Sequence, residues 1–274
     1  MSRAMQSLLF GLIYSIYLVG VMGPLQWLVI RPLCALSPGR RPRIMRTWLR
    51  LQAFVVLGLA RSVGGMRLEI QGSIPAASCI VLMNHQSLLD IPVAVSLVRG
   101  PYPAIPTRAR YGRGFPAISH LVHLAEFPVL AQGERATRAE HQAMRAIAEA
   151  VARGERSLIL YPEGHRSRDG ELQPFMTSGL KLVFRRAGRA PIYVIVVDGL
   201  WRLRDLSDIA LRVSGTRAKV VVRGPFQVPA EDREHEAFIL GLRAEMEAAL
   251  RELRQPAAEP AAALSPQARA RLAG

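Results

Sequence analysis

Two short stretches of this chain end apolar runs with residues suited to chemistry. At 79–90 the sequence reads Cys-Ile-Val-Leu-Met-Asn-His-Gln-Ser-Leu-Leu-Asp, and at 158–167 it reads Leu-Ile-Leu-Tyr-Pro-Glu-Gly-His-Arg-Ser. His85 offers a general base whose ring titrates near neutrality, and Asp90 can accept its Nδ1 proton and stabilise the imidazolium that forms. Glu163, Gly164, His165 and Arg166 make a polar turn with a fixed cation, which suits an anionic substrate. On one continuous helix, His85 and Asp90 would point about 140° apart. The pair therefore needs a strand-to-helix turn, with His85 in the loop, Ser87 or Asp90 near the helix start, and Pro92 in a first turn whose N–H groups lack partners anyway.

The elements around these stretches read as alternating strands and helices. Met66, Leu68 and Ile70 alternate like a half-buried strand, and further strands are expected at Cys79–Met83, Ser157–Tyr161, Ile192–Val197 and Lys219–Arg223. The clearest helix covers Thr137–Arg153, where Thr137 and Glu140 have capping-box spacing, Met144, Ile147, Ala148 and Val151 form one face, and Gly154 provides a stop. Helices are also expected at Gly179–Ala187 and Glu231–Leu253. This order implies an α/β fold, a mixed or parallel central sheet flanked by helices, in which a binding crevice lies at the strand ends.

With both stretches placed, the sequence resembles the glycerolipid acyltransferase family that includes the lysophosphatidic acid acyltransferases, whose hallmarks are Asn-His-x4-Asp and Pro-Glu-Gly-x-Arg-Ser. The resemblance covers about residues 66–200. It implies transfer of a fatty acyl group from acyl-CoA or acyl-carrier protein to a lysolipid hydroxyl, most readily 1-acyl-sn-glycerol-3-phosphate to give phosphatidic acid. His85 and Asp90 would be catalytic, and Glu163, Gly164, Arg166 and Ser167 would bind the acceptor. The resemblance also implies direct transfer, with no acyl-enzyme on Ser87, which lacks a Gly-x-Ser-x-Gly elbow.

The chain departs from the family pattern at three places. His165 stands where Thr is common. A Gly-x5-Arg block would fall on Ala125–Ala131, with Ala at both ends, so a second phosphate-binding arginine must come from elsewhere; Arg108, Arg110, Arg135 and Arg138 are candidates. The Val-Pro-x-x-Pro strand is represented by Pro191-Ile192-Tyr193-Val194 without its second Pro. These departures leave room for another acceptor such as a lyso-aminolipid. A lipid or thioester hydrolase and a non-catalytic membrane-binding protein are the alternatives from other classes.

Length and composition set the frame: 274 residues, half of them hydrophobic, carry a formal net charge of +15 and only two cysteines. One core and a membrane-associated segment fit these values, while Cys34 and Cys79 argue against a disulfide framework or a Cys-based metal site. No cofactor or metal is implied, because a thioester is already an activated donor and His120 and His123 lie on an apolar segment. Scattered arginines favour anionic headgroups, CoA phosphates or an acidic carrier, and no nucleic-acid motif accompanies them.

Residues 4–30 contain no charged side chain, and Leu8–Ile30 is long enough to span a bilayer. A cleaved signal peptide is the competing reading. Arg31, Arg40, Arg41, Arg43, Arg46 and Arg50 follow the run, against Arg3 before it, which by the positive-inside rule puts the catalytic domain on the cytoplasmic side of the membrane. Trp48–Ala60 is too short to span and reads as an interfacial helix, a hairpin return, or a core helix. The expected organisation is an N-terminal membrane-associated segment over 1–64, an acyltransferase domain over 65–255, and a Pro/Ala-rich mobile tail over 256–274.

Overall fold

The structure, a computed structural model, describes residues 2–131 and 137–255. The expected tail at 256–274 and Arg135 lie outside the described residues. Six strands form one sheet: β1 Arg67–Gln71, β2 Ile80–Met83, β3 Pro103–Ala104, β6 Ser157–Leu160, β7 Ile192–Asp198 and β8 Arg217–Phe226, in the order β1-β8-β7-β2-β6-β3. Every pairing is parallel except β7 with β8. All four residues of β2 and all four of β6 are buried, as central strands covered on both faces must be, which is why they read as unbroken apolar runs. Two further strands, β4 Thr107–Arg108 and β5 Val129–Leu130, pair in parallel outside this sheet.

Helices cover both faces. Three of them, α5 Arg138–Ala152, α6 Thr177–Ala187 and α8 His235–Arg254, pack on Ile80, Leu82, Leu158 and Val194. The opposite face, with Val81, Met83, Ile159 and Ile195, is covered by α1 Arg3–Leu36, α2 Arg41–Ser62, α3 Asp90–Leu97, α4 Pro116–Leu124 and α7 Leu206–Arg212. The capping box of α5 is present in both halves: Glu140 N donates to Thr137 Oγ1 at 3.2 Å and Thr137 N to Glu140 Oε2 at 2.6 Å. The last long helix starts at His235 rather than Glu231, after a short 3-10 turn over Asp232–Glu234.

The N-terminal helices combine an apolar length with packing on the domain. At 34 residues, α1 is long and apolar enough to cross a membrane. Its first turns are nevertheless fixed to the domain, since Ser214 N donates to Ser7 Oγ at 3.1 Å, and a Cβ on Gly11 would fall 2.9 Å from the Ala210 carbonyl oxygen. Its middle is tied to α2 by Tyr17 Oη donating to Gln52 Oε1 at 2.6 Å, and near its end Trp27 stacks on His120 of α4 at 4.4 Å. Both ends rest on one domain, so α1 runs along the domain rather than away from it. The other face of α1 exposes Leu8, Leu12, Val19, Leu28 and Leu36. In α2, the Trp48–Ala60 stretch buries Trp48, Leu49, Ala53 and Val56 while Phe54 is 75% exposed, so it is a core helix on one side and an apolar surface on the other.

Candidate active site

The end of β2 is clamped before it reaches the reactive residues. Asn84 donates from Nδ2 to the Val197 carbonyl and accepts at Oδ1 from the Val197 N–H, both at 2.8 Å, so its amide continues the sheet into β7. Gln86 accepts from Leu200 N at 3.0 Å and donates to the Gly170 carbonyl at 3.2 Å. Neither role is visible in sequence, because the partners lie more than eighty residues away. Between these clamps, His85 projects from the loop and Asp90 opens α3, as the spacing requires.

His85 Nδ1 and Asp90 Oδ2 are 2.9 Å apart. The same oxygen accepts the backbone N–H of Gln86 at 2.6 Å and of Ser87 at 2.7 Å, so the turn itself holds the carboxylate toward the ring. Asp90 is fully buried, whereas His85 keeps 15% of its side chain accessible and lines a cavity of about 980 Å³. With Nδ1 committed to Asp90, Nε2 is the nitrogen available to a ligand. Tyr161 stacks on the imidazole with ring centroids 4.1 Å apart. Burial pushes the His85 pKa below the usual histidine value, Asp90 opposes that shift, and the charges of Arg166 and Arg108 add to it. The lowered pKa favours the neutral ring, the form that can take a proton.

The second stretch grips the backbone of the same histidine. Glu163 Oε1 accepts the His85 N–H at 2.6 Å, and the Ser167 N–H donates to the His85 carbonyl at 2.7 Å. Glu163 Oε2 accepts the Gln173 N–H at 2.7 Å, and the side chain is buried. Each oxygen thus accepts one backbone N–H, and burial pushes the Glu163 pKa up to about 7. Ser167 Oγ likewise serves its own turn, donating to Asp169 Oδ1 and accepting from Gly170 N, each at 2.9 Å. Gly164, at φ +68, takes a left-handed conformation that favours glycine. The structure thus brings the other five expected site residues around His85; Gly164, Arg166 and Ser167 line the cavity, while the Glu163 carboxylate accepts from the backbone of both segments.

Arg166 does reach the cavity. Its guanidinium donates to the Arg204 carbonyl and, at 3.0 Å, to Tyr111 Oη. Of the other candidate arginines, Arg108 and Arg110 also line the cavity, whereas Arg138 is in the exposed first turn of α5. Arg108 donates to the Gly164 carbonyl, and the pairing of β4 with β5 places it opposite Leu130, next to Ala131, where the family pattern would put an arginine. His120 packs on Trp27, and His123 Nε2 lies 2.9 Å from the Gly112 carbonyl.

Residues 66–198 match the family model described as Acyltransferase. This segment is an acyltransferase-family domain. Among curated relatives, the chain is 29% identical over 150 residues to a 1-acyl-sn-glycerol-3-phosphate acyltransferase of Cocos nucifera, covering 52% of this chain and 46% of that protein. It is 28% identical over 156 residues to one of Limnanthes douglasii, covering 56% and 53%. The chain thus spans about half the length of the curated relatives it matches. The crystal structure of the 1-acyl-sn-glycerophosphate acyltransferase from Thermotoga maritima superposes with a TM-score of 0.67 at 19% identity, covering 94% of this chain and all of that one. The α/β fold, N-terminal helices included, is shared.

Proposed function

We propose that this protein moves a fatty acyl group from acyl-CoA or acyl-carrier protein to the free hydroxyl of a lysolipid, with 1-acyl-sn-glycerol-3-phosphate as acceptor and phosphatidic acid as product. The observation that carries the reading is the convergence of both motif loops on His85, whose ring faces a cavity apolar along most of its wall and cationic at Arg108, Arg110 and Arg166. His85 Nε2 takes the proton of the acceptor hydroxyl as its oxygen attacks the thioester carbonyl. The tetrahedral intermediate then collapses, the C–S bond breaks, and the thiolate leaves with the proton from the imidazolium. Asp90 stabilises that imidazolium without itself taking the proton.

Ser87 is fully buried, donates its hydroxyl to the Leu203 carbonyl and accepts from Leu89 N at 3.1 Å, which supports direct transfer over an acyl-enzyme. The apolar wall under α1, α2 and α3 suits an acyl chain, and its volume is in the range of lipid-sized ligand sites. Arg166 and Arg108 are positioned for the acceptor phosphate, through planar donors that match its oxygens. Arg108 supplies the cation whose expected place is taken by Ala131. That favours a phosphate-bearing acceptor over a lyso-aminolipid.

The exposed leucines of α1 and Phe54 of α2 support membrane association by helices lying in the interface. The arginines between 31 and 50 then act at headgroup level. Because the positive-inside rule concerns segments that span, they give no side assignment in this arrangement. The test is acyl transfer by purified protein to a panel of lysolipids, with CoA and carrier-protein donors supplied separately. Lysophosphatidic acid should be converted to phosphatidic acid; release of free fatty acid regardless of acceptor would instead mark a hydrolase.

A further inference from the structure

At the start of α1 a second cavity of about 480 Å³ opens, sharing no lining residue with the His85 cavity. Arg3, Arg202, Arg212 and Arg217 line it, together with Trp201 and the hydroxyl-bearing Thr216. No carboxylate lines it. Arg212 reaches Asp208 at 3.3 Å, but among the described residues Arg3, Arg202 and Arg217 form no ion pair. A concavity lined by one sign of charge focuses its field on a counter-ion, and several guanidinium groups together present the planar donors that fit phosphate oxygens.

The backbone around the pocket is fixed by the fold, and its four arginines are exposed at the surface. Ser214 fixes its rim, donating from N to Ser7 Oγ at 3.1 Å and from Oγ to Gln6 Oε1 at 2.7 Å. Gly215, with φ +79, takes a left-handed turn that favours glycine, and the Arg3 side chain lies across it. Arg202 sits over the Trp201 ring at 4.8 Å. The neighbouring exposed residues on α1 are Met5, Leu8 and Leu12, so cations and apolar side chains are arranged in the order of a membrane's headgroup and acyl layers.

We infer that this pocket binds the phosphate of an anionic membrane lipid, at a site separate from the one that carries out transfer. The lipid source rests on the reading that the exposed face of α1 lies on the membrane; the phosphate chemistry of the pocket does not. The experiment compares wild type, Arg202→Ala/Arg217→Ala, and the charge-matched control Arg186→Ala/Arg189→Ala, which alters arginines at the other end of β7. Partition is measured onto vesicles of phosphatidylcholine alone and of phosphatidylcholine with phosphatidic acid. At roughly fivefold per arginine near an anionic surface, the pocket variant should lose about 25-fold on the anionic vesicles and nothing on the zwitterionic ones, with the control within about twofold of wild type.

Equal losses in the pocket variant and the control would mean diffuse charge and would overturn the site. A second arm measures melting with inorganic phosphate against chloride at equal ionic strength, without vesicles. Phosphate stabilisation present in wild type and absent from the pocket variant, with unchanged vesicle partition, would make the ligand a free phosphate and overturn the lipid assignment. If wild type fails to bind any vesicle, the reading of α1 fails, and the melting arm still judges the pocket: no phosphate-specific stabilisation would overturn it as well.

Discussion

Asp90 and Glu163 are both buried carboxylates that accept backbone N–H groups, one from each of the loops that meet at His85, yet they do different work. Asp90 collects two amides and the imidazole on one oxygen, so its charge is directed at the ring. Glu163 divides itself between His85 N and Gln173 N, so its charge joins two segments of backbone. In the proposed reaction the first loop supplies the base, and the second fixes the backbone of His85 while sending Arg166 into the cavity. A conspicuous acidic residue in a motif can therefore be a fastening rather than a ligand, and counting the acceptors and donors around it is what separates the two cases.

Substitutions in the two loops should separate these roles. The largest effect is expected from His85→Ala, with acyl transfer falling by about 10²–10⁴-fold while melting temperature and vesicle binding stay near wild type. Asp90→Asn should fall in the lower part of that range, because the amide cannot stabilise the imidazolium. Retained transfer in a folded His85→Ala protein would erase the distinction between the loops.

Arg166→Lys keeps the charge and loses the planar fork, so acceptor kcat/KM should drop by roughly 10–150-fold, the equivalent of about 1.5–3 kcal/mol, with the thioester KM little changed. A rise confined to the donor KM would move Arg166 to the CoA or carrier-protein end of the cavity. Arg108→Leu should cost about tenfold or less in acceptor KM. It also removes a cation that lowers the His85 pKa, so the acid limb of the pH–rate profile should move to higher pH; an unshifted limb would separate Arg108 from the imidazole.

The smallest effect on transfer is expected from Glu163→Gln, whose signature lies in stability. One Gln atom becomes a donor facing a backbone N–H, at a cost of about 1–3 kcal/mol. The Glu163 pKa is raised from 4.5 to about 7 in the folded protein, so its protonated form favours folding. That contribution is fully present below about pH 4.5 and is lost as pH rises through about 7. The Gln variant should lose this slope in chemical denaturation; an unchanged slope would place the titration elsewhere.

Much of the sheet was legible because β2, β6 and β7 are apolar on both faces, and α5 because its capping box is local. The pair β4–β5 was not, since two-residue strands carry no periodicity. The short α7 was hidden for the same reason. Asn84 and Gln86 are defined by partners across the sheet, and the backbone contacts of Glu163 with His85 N and Gln173 N likewise join segments distant in sequence. Hydropathy marks α1 as long and apolar enough to span a membrane, whereas its contacts with the domain along one side come from distant residues and are not visible in sequence.

The account's central claim is direct transfer to a hydroxyl deprotonated by His85, and it is tested by incubating the purified protein with a labelled acyl thioester, first alone and then with lysolipid. The expected result is unlabelled protein and little free fatty acid until acceptor is added, followed by labelled diacyl product in wild type and almost none in His85→Ala. Covalent label on the protein before acceptor is added, on Ser87 or any other residue, would contradict it.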